Sequence, residues 1–346
     1  MRPASGLRVS QAFFTPRHEL KNRLSGTLVL EARAESYLHV WSGRMHVELD
    51  LSGIRPSMSR AELVRAIERR AEGLARRAIV EPAELASYGE QLVMPGSSLK
   101  GAVRARLELL GKEAGVCFAI QDRPDYRPAK GQHGWRHYAL WRDAAEPPRR
   151  QACGDCITCD LFGSPGKCSR IFFGNLKLRR ALKNPVEELQ LDYGERVRAI
   201  KPGTLFEGEI SFLGLQPEEL GLLAFGMRLH EGKPILIGKS KYRRRVRQDT
   251  GEEVTFGRLL LRAVELRLAP WCRRLAEELA QEASVSFTLA QEGGGQEEVV
   301  FSGESLAGLL RHLVEKAKQA YEGFNYDFDE LSCLEAIWRE ERDQGA

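Results

Sequence analysis

Three cysteines fall within seven residues, in the run Cys153-Gly-Asp-Cys156-Ile-Thr-Cys159. Such spacing puts three thiolates within reach of one tetrahedral zinc ion, and the centre then needs a fourth ligand. Cys117 is the favoured fourth ligand and Cys168 its alternative, with His133 and His137 behind them. Cys168 reads equally well as a small core residue. Four ligands close the shell and leave no open position, so the expected zinc is structural. A redox C-x-x-C does not account for the third cysteine. Plain reduced cysteines are the bland alternative.

A second stretch, Met94-Pro-Gly-Ser-Ser-Leu-Lys-Gly101, opens a helix that runs to about Leu110. Pro95-Gly96 forces a turn, and Ser97 or Ser98 can cap the helix. The free N–H groups of a helix N-terminus beside a cation make an anion site. Lys100 supplies the charge, while Gly96 and Gly101 allow close approach of another backbone. Ala102 follows Gly101, so this is not a Walker A loop. A capped helix packed tightly on a sheet would use the same residues.

A third stretch follows the apolar Ile235-Leu-Ile237. Six of the ten residues 238–247 are basic, among them Lys239, Lys241, Arg243, Arg244 and Arg245, with Tyr242 between them. Cations that follow a sugar-phosphate backbone, with an aromatic ring to stack on a base, suit single-stranded nucleic acid. A solvated surface run is the alternative. Asp50, with His39 and His46 nearby, is the candidate catalytic carboxylate. It would assist RNA cleavage by orienting a 2′-hydroxyl or by holding Mg2+ or another divalent ion. No serine-hydrolase, kinase or dinucleotide fingerprint stands in its required context.

The elements that must position these residues follow from periodicity. Strands are expected at 26–34, 170–178, 206–215 and 255–268, and helices at 59–78, after Pro95, and from Pro217. Ser59 and Glu62 have capping-box spacing, and Leu63, Ile67 and Leu74 share a face. The core order is β, α, β, β, α, β, which predicts an α+β, ferredoxin-like (RNA-recognition-motif-like) sheet with helices on one face. Residues 121–152 read as a long loop or inserted lobe, and 179–207 as an extended excursion. A hairpin and a helix from Ser305 to about Tyr321 complete the tail.

Charge is unevenly distributed within the net +4. Residues 1–280 hold 47 Lys and Arg against 34 Asp and Glu, whereas 281–346 hold 5 against 14. The basic body points to a polyanionic partner, and the acidic tail to a separate segment. No run of about 18 apolar residues exists, so no membrane span is expected. The first twenty residues lack a signal-peptide core, and a cytoplasmic location is expected.

Three stretches together resemble the RAMP superfamily of CRISPR-associated proteins, most of all the backbone subunits of type III effector complexes. They are 94–108, 153–173 with Leu161-Phe-Gly-Ser164, and 235–247. The resemblance implies a palm domain over 20–270, carrying a helical insertion at 55–90, a zinc lobe at 117–170 and a thumb at 179–205. The acidic segment 271–346 lies outside it. It implies binding of CRISPR RNA and target RNA, and neighbouring RAMP subunits as partners. RNA contacts would fall to Ser97, Ser98, Lys100 and the 239–245 stretch. Two departures stand out. The 238–247 loop is poorer in glycine than in the family, and Asp50 is only a loose positional match to the cleaving aspartate. A metal-dependent endoribonuclease and a filament-capping scaffold are the alternative functions.

Overall fold

The structure is a computed structural model. It describes residues 20–42, 55, 57–76, 84–89, 91–111, 114, 116–117, 130, 134–141, 153–180, 183–291 and 297–343. Strand β1 (Leu24–Ala34) sets the frame. Leu28, Leu30, Ala32 and Ala34 are buried, and the alternate Thr27, Val29, Glu31 and Arg33 turn to the other face. This is the two-residue repeat of a half-covered strand.

The chain continues through α1 (Arg60–Arg76), β2 (Ser87–Tyr88), β3 (Gln91–Met94), α2 (Gly96–Leu110) and α3 (Trp135–Trp141). Next come α4 (Ile157–Phe162), β4 (Ile171–Phe173), β5 (Leu176–Arg180), β6 (Val186–Gln190), β7 (Arg196–Ile200), β8 (Leu205–Leu215) and α5 (Pro217–Gly226). Strands β9 (Ile235–Leu236), β10 (Arg244–Val246), β11 (Glu253–Thr255) and β12 (Arg258–Leu268) follow. The tail adds α6 (Arg273–Ala283), β13 (Thr288–Ala290), β14 (Glu298–Ser302), α7 (Gly303–Ala320) and α8 (Glu330–Asp343).

The main sheet runs β13-β14-β12-β1-β8-β5-β3-β2, with β4 also on β8 and β9 also on β12. Every pairing in it is antiparallel. The mixed α+β character and the antiparallel sheet are as expected. Leu99, Val103 and Leu107 of α2, Leu220 and Leu223 of α5, and Leu306, Leu310 and Leu313 of α7 join the β1 core as one cluster. In β12 the buried residues switch from Leu259 and Leu261 to Leu266 and Leu268. A register shift opposite Val29/Leu30 inserts Val264 as an extra residue and explains the switch.

Local rules account for two helix starts. Glu62 accepts the Ser59 N–H at 2.9 Å, and Ser59 Oγ accepts the Glu62 N–H at 3.4 Å. The capping box therefore forms, although Val64 and Ile67 of α1 remain exposed. Pro217 opens α5, where Glu219 accepts the Gln216 N–H at 2.7 Å. Other expectations differ. The 170–178 strand is broken at Gly174-Asn175, and α6 and α8 were not expected. The tail is joined to the sheet: β14 pairs with β12, and the buried Glu330 of α8 receives Arg106 (2.8 Å) and Arg228 (3.2 Å). Among the described residues no helix is long and apolar enough to cross a membrane.

Candidate metal centre and nucleic-acid groove

The four cysteines converge. The sulfurs of Cys117, Cys153, Cys156 and Cys159 all lie within 4.8 Å of one another. Cys117 follows α2, while Cys153 and Cys156 lead into α4 and Cys159 lies on it, so one loop and one helix turn bring the ligands together. Cys117 Sγ is 3.4 Å from Cys159 Sγ and 3.6 Å from Cys156 Sγ. These separations are far too long for disulfides, and near the sulfur–sulfur spacing of a tetrahedral thiolate shell. Cys168 is exposed and outside the cluster.

The donor set fits a cation. Backbone N–H groups of Cys117 and Cys156 donate to Cys156 Sγ (3.5 Å) and Cys153 Sγ (3.3 Å), and Arg104 Nη2 donates to Cys159 Sγ (3.6 Å). Hydrogen bonds from Cys117 and Cys159 hold the Cys156 thiol well below its ordinary range. The reciprocal bonds, and burial, push Cys117 up. Without a cation the crowded sulfurs resist a second negative charge, and a divalent ion removes that resistance. Four thiols could therefore hold a metal ion here.

Helix α2 links this centre to the rest of the motif. It begins at Gly96, one residue before the serines, so neither serine caps it. The capping group comes from far along the chain: Asn175 Oδ1 accepts the Gly96 N–H at 2.9 Å. Asn175 lies in the break between β4 and β5. A Cβ on Gly96 would stand 2.1 Å from the Phe173 carbonyl oxygen, so only glycine lets the helix start meet β4.

Lys100 turns toward the cysteine lobe. Its Nζ donates to Ser169 Oγ at 3.0 Å, and burial, reinforced by Arg104, lowers its pKa. Arg104 lies one turn further on and donates to the Gly163 carbonyl (2.7 Å) and to Glu108 (2.7 Å) as well as to Cys159. The opposite face of α2, through Ser98, Gly101, Ala102 and Ala105, lines a cavity of about 340 Å³. Lys239 and Lys241 line it too, with Gly238 and the segment His39-Val40-Trp41. Gly238 has φ +82°, and a Cβ there would meet the His39 carbonyl at 2.6 Å. The same carbonyl accepts the Lys239 N–H at 2.9 Å, which pins the loop to the segment that follows β1.

The basic stretch is divided between two tasks. Lys239 and Arg243 are exposed, although Lys239 also meets Glu195 at 3.0 Å. Arg245 was expected on RNA, but it is only 3% exposed and binds Asp192 (2.5 Å) and Glu195 (2.6 Å). Tyr242 was expected to offer its ring to a base. Instead its hydroxyl contacts His137 Nδ1 (3.0 Å) and accepts from Trp141 Nε1 (3.3 Å), and its ring packs against the core. Arg244 lies over the Trp338 ring and pairs with Glu253.

Asp192 and Glu195 belong to the turn of the β6–β7 hairpin, which fills the expected excursion. Leu189, Leu191, Val197 and Ala199 of the hairpin form a small core with Val254 and Phe256. Its tip carries Tyr193, 97% exposed at φ 62°. Arg245 thus braces the hairpin. Asp50, His46 and His133 lie outside the described residues, as does most of 121–152.

Arg104, Asn175, Trp41 and Ala105 were not among the expected site residues. Arg104 and Asn175 meet partners distant in sequence, Trp41 and Ala105 share the cavity lining with residues far along the chain, and only Arg104 carried a local hint, four residues after Lys100. No curated protein matches the chain. Among solved structures, a chain from the Csm3–Csm4 subcomplex of the type III-A CRISPR-Cas interference complex is similar at 16% identity. The match covers 86% of this chain and 97% of that one, with a TM-score of 0.35. The family model described as the RAMP superfamily matches residues 31–284, well over half of the length, and the protein belongs to that superfamily.

Proposed function

We propose that the chain is an RNA-binding subunit of a type III CRISPR effector complex, holding CRISPR RNA and its target beside neighbouring RAMP subunits. The observation that carries this reading is the cavity where two motifs distant in sequence meet, α2 on one wall and Lys239 and Lys241 on another. Cations above a wall of small side chains admit a phosphate backbone and give it charge. Ser97, Ser98, Lys239, Lys241 and Arg243 are the proposed contacts, with Arg244 at the edge. Lys100, Tyr242 and Arg245 hold the scaffold on which those contacts stand. The strands β12-β1-β8-β5, with α2 and α5 between them in sequence, are read as a ferredoxin-like palm, and the β6–β7 hairpin as its thumb.

The metal centre is proposed to hold zinc through Cys117, Cys153, Cys156 and Cys159. Bound there, the ion would cross-link the lobe to the end of α2 and supply no reaction chemistry.

Binding of single-stranded RNA by the full chain, measured across a salt series, tests the proposal. Phosphate contacts make affinity fall steeply with salt, by about 0.7 in log–log slope per contact. The double variant Lys239→Ala/Lys241→Ala is expected to flatten that slope. Salt-independent binding, or an unchanged slope in the double variant, would overturn the reading.

A further inference from the structure

Resting on that RNA reading, we infer that the cavity is a subsite for one unpaired nucleotide. Its base stacks on Trp41, and its sugar-phosphate strand passes over Gly101. Three observations carry the inference.

Gly101 stands in the interior of α2, where glycine is less favourable than alanine. Internal packing among the described residues does not require it: beyond the helix's own backbone, none of their atoms lies within 4 Å of where its Cβ would be. Gly96, by contrast, is forced by contact with its own sheet. The space in front of Gly101 is the cavity, so a side chain there would occupy the room a ligand needs.

Trp41 is 46% exposed and lines the same cavity. Its backbone is fixed on both sides. Val40 accepts the Ala86 N–H at 3.1 Å, and the Ser42 N–H donates to Glu84 at 2.9 Å. A half-exposed indole on a pinned backbone is a preorganised stacking surface beside two lysines.

His39 also lines the cavity and is 1% exposed. Its Nδ1 lies 2.7 Å from the Arg198 carbonyl, which can only accept, so Nδ1 carries the proton. Burial lowers the pKa of the ring, which keeps it neutral. Nε2 is then a buried acceptor, and among the described residues it has no hydrogen-bond partner. A ribose hydroxyl or a base amine is the kind of donor it lacks. Base, sugar and phosphate thus each find a complement in a space of about 340 Å³.

The test uses the full chain and a mixed-sequence single-stranded RNA, with a second oligonucleotide of equal length built from abasic ribose phosphate. Trp41→Ala is expected to weaken binding of the normal strand about 5- to 100-fold with an unchanged salt slope. Trp41→Phe should restore most of the affinity. The abasic strand should bind the natural protein more weakly and lose nothing further in Trp41→Ala. Gly101→Leu should also weaken binding without lowering the melting temperature.

If Trp41→Ala and Gly101→Leu bind as tightly as the natural protein while Lys239→Ala/Lys241→Ala does not, the subsite is wrong and the groove reading survives. A Gly101→Leu protein that melts much earlier would show that the space is not open, and would also overturn the subsite. A natural chain that binds no RNA would overturn both readings.

Discussion

The two faces of α2 make opposite use of one short motif. One face carries Lys100 and Arg104 and is stitched to the cysteine lobe through Ser169, Gly163 and Cys159. The other carries Ser98, Gly101, Ala102 and Ala105 and lines the cavity. Reading the motif as a string places its cation on the anion and lets both glycines admit another backbone. In the fold Lys100 and Arg104 hold the scaffold, Gly96 meets β4, and Gly101 lines the cavity. A charged side chain at a helix start can serve the scaffold and not a ligand.

Four measurements would break or sharpen this contrast. The largest effect is expected at the lobe face. Cys156→Ser should reduce the metal content from about one ion per chain to near zero and destabilise the lobe by several kcal/mol. Metal analysis with chelator-dependent melting checks it: a chelator should lower the natural protein's melting temperature and leave the variant's unmoved.

Arg104→Ala should cost about 1–3 kcal/mol in urea unfolding, because a partly buried cation with three acceptors is lost. The same variant should bind cobalt, used as a spectroscopic probe, more weakly, with Arg104→Lys intermediate. Equal cobalt affinity in all three proteins would confine Arg104 to ordinary packing.

Asn175→Ala removes the acceptor that caps α2 and should cost about 1 kcal/mol, visible as a shift in denaturation midpoint. Ser97→Ala and Ser98→Ala should leave that midpoint nearly unchanged, which is the reverse of what the motif alone suggests.

The smallest effect separates the faces most directly. Lys100→Ala should leave the salt slope of RNA binding unaltered, whereas Lys239→Ala and Lys241→Ala should each reduce it by about 0.7. A slope change in Lys100→Ala comparable to theirs would place all three lysines on the same phosphates and end the contrast.

What could be read from the sequence was local. The C-x-x-C-x-x-C spacing identifies three members of the cysteine cluster without any fold, and Cys117 joins them in the structure. The capping box at Ser59 and the Pro217 helix start are equally local. Asn175 was illegible because it caps a helix that begins 79 residues earlier. The basic stretch misled for a different reason. Arg244 to Val246 form a strand in which Arg245 turns inward between Arg244 and the exposed Val246, while Arg243 lies just before the strand. Arg243 is exposed and Arg245 buried, though they look alike in a run of three arginines. The extra residue in β12 shifts the alternation midway, a change that pattern reading takes for noise. Helix α6 carries its signal plainly in Arg273-Arg-Leu-Ala-Glu-Glu-Leu-Ala280, where Leu275, Ala276, Leu279 and Ala280 recur at helical spacing.

The place of β1 at the centre of the sheet has a kinetic consequence. It pairs on one side with β8 and on the other with β12, so Gly26 lies opposite Leu268. On the ribosome, β1 emerges well before either neighbour exists. At about 5–20 residues per second, roughly 10–50 s pass before its second partner is synthesised. Through that interval Leu28 and Leu30 cannot reach their final packing, and the strand presents two unpaired edges. Closing such distant contacts makes folding intrinsically slow. Yield during synthesis should therefore depend on how well the emerging chain is shielded, and slower translation should prolong the hazard.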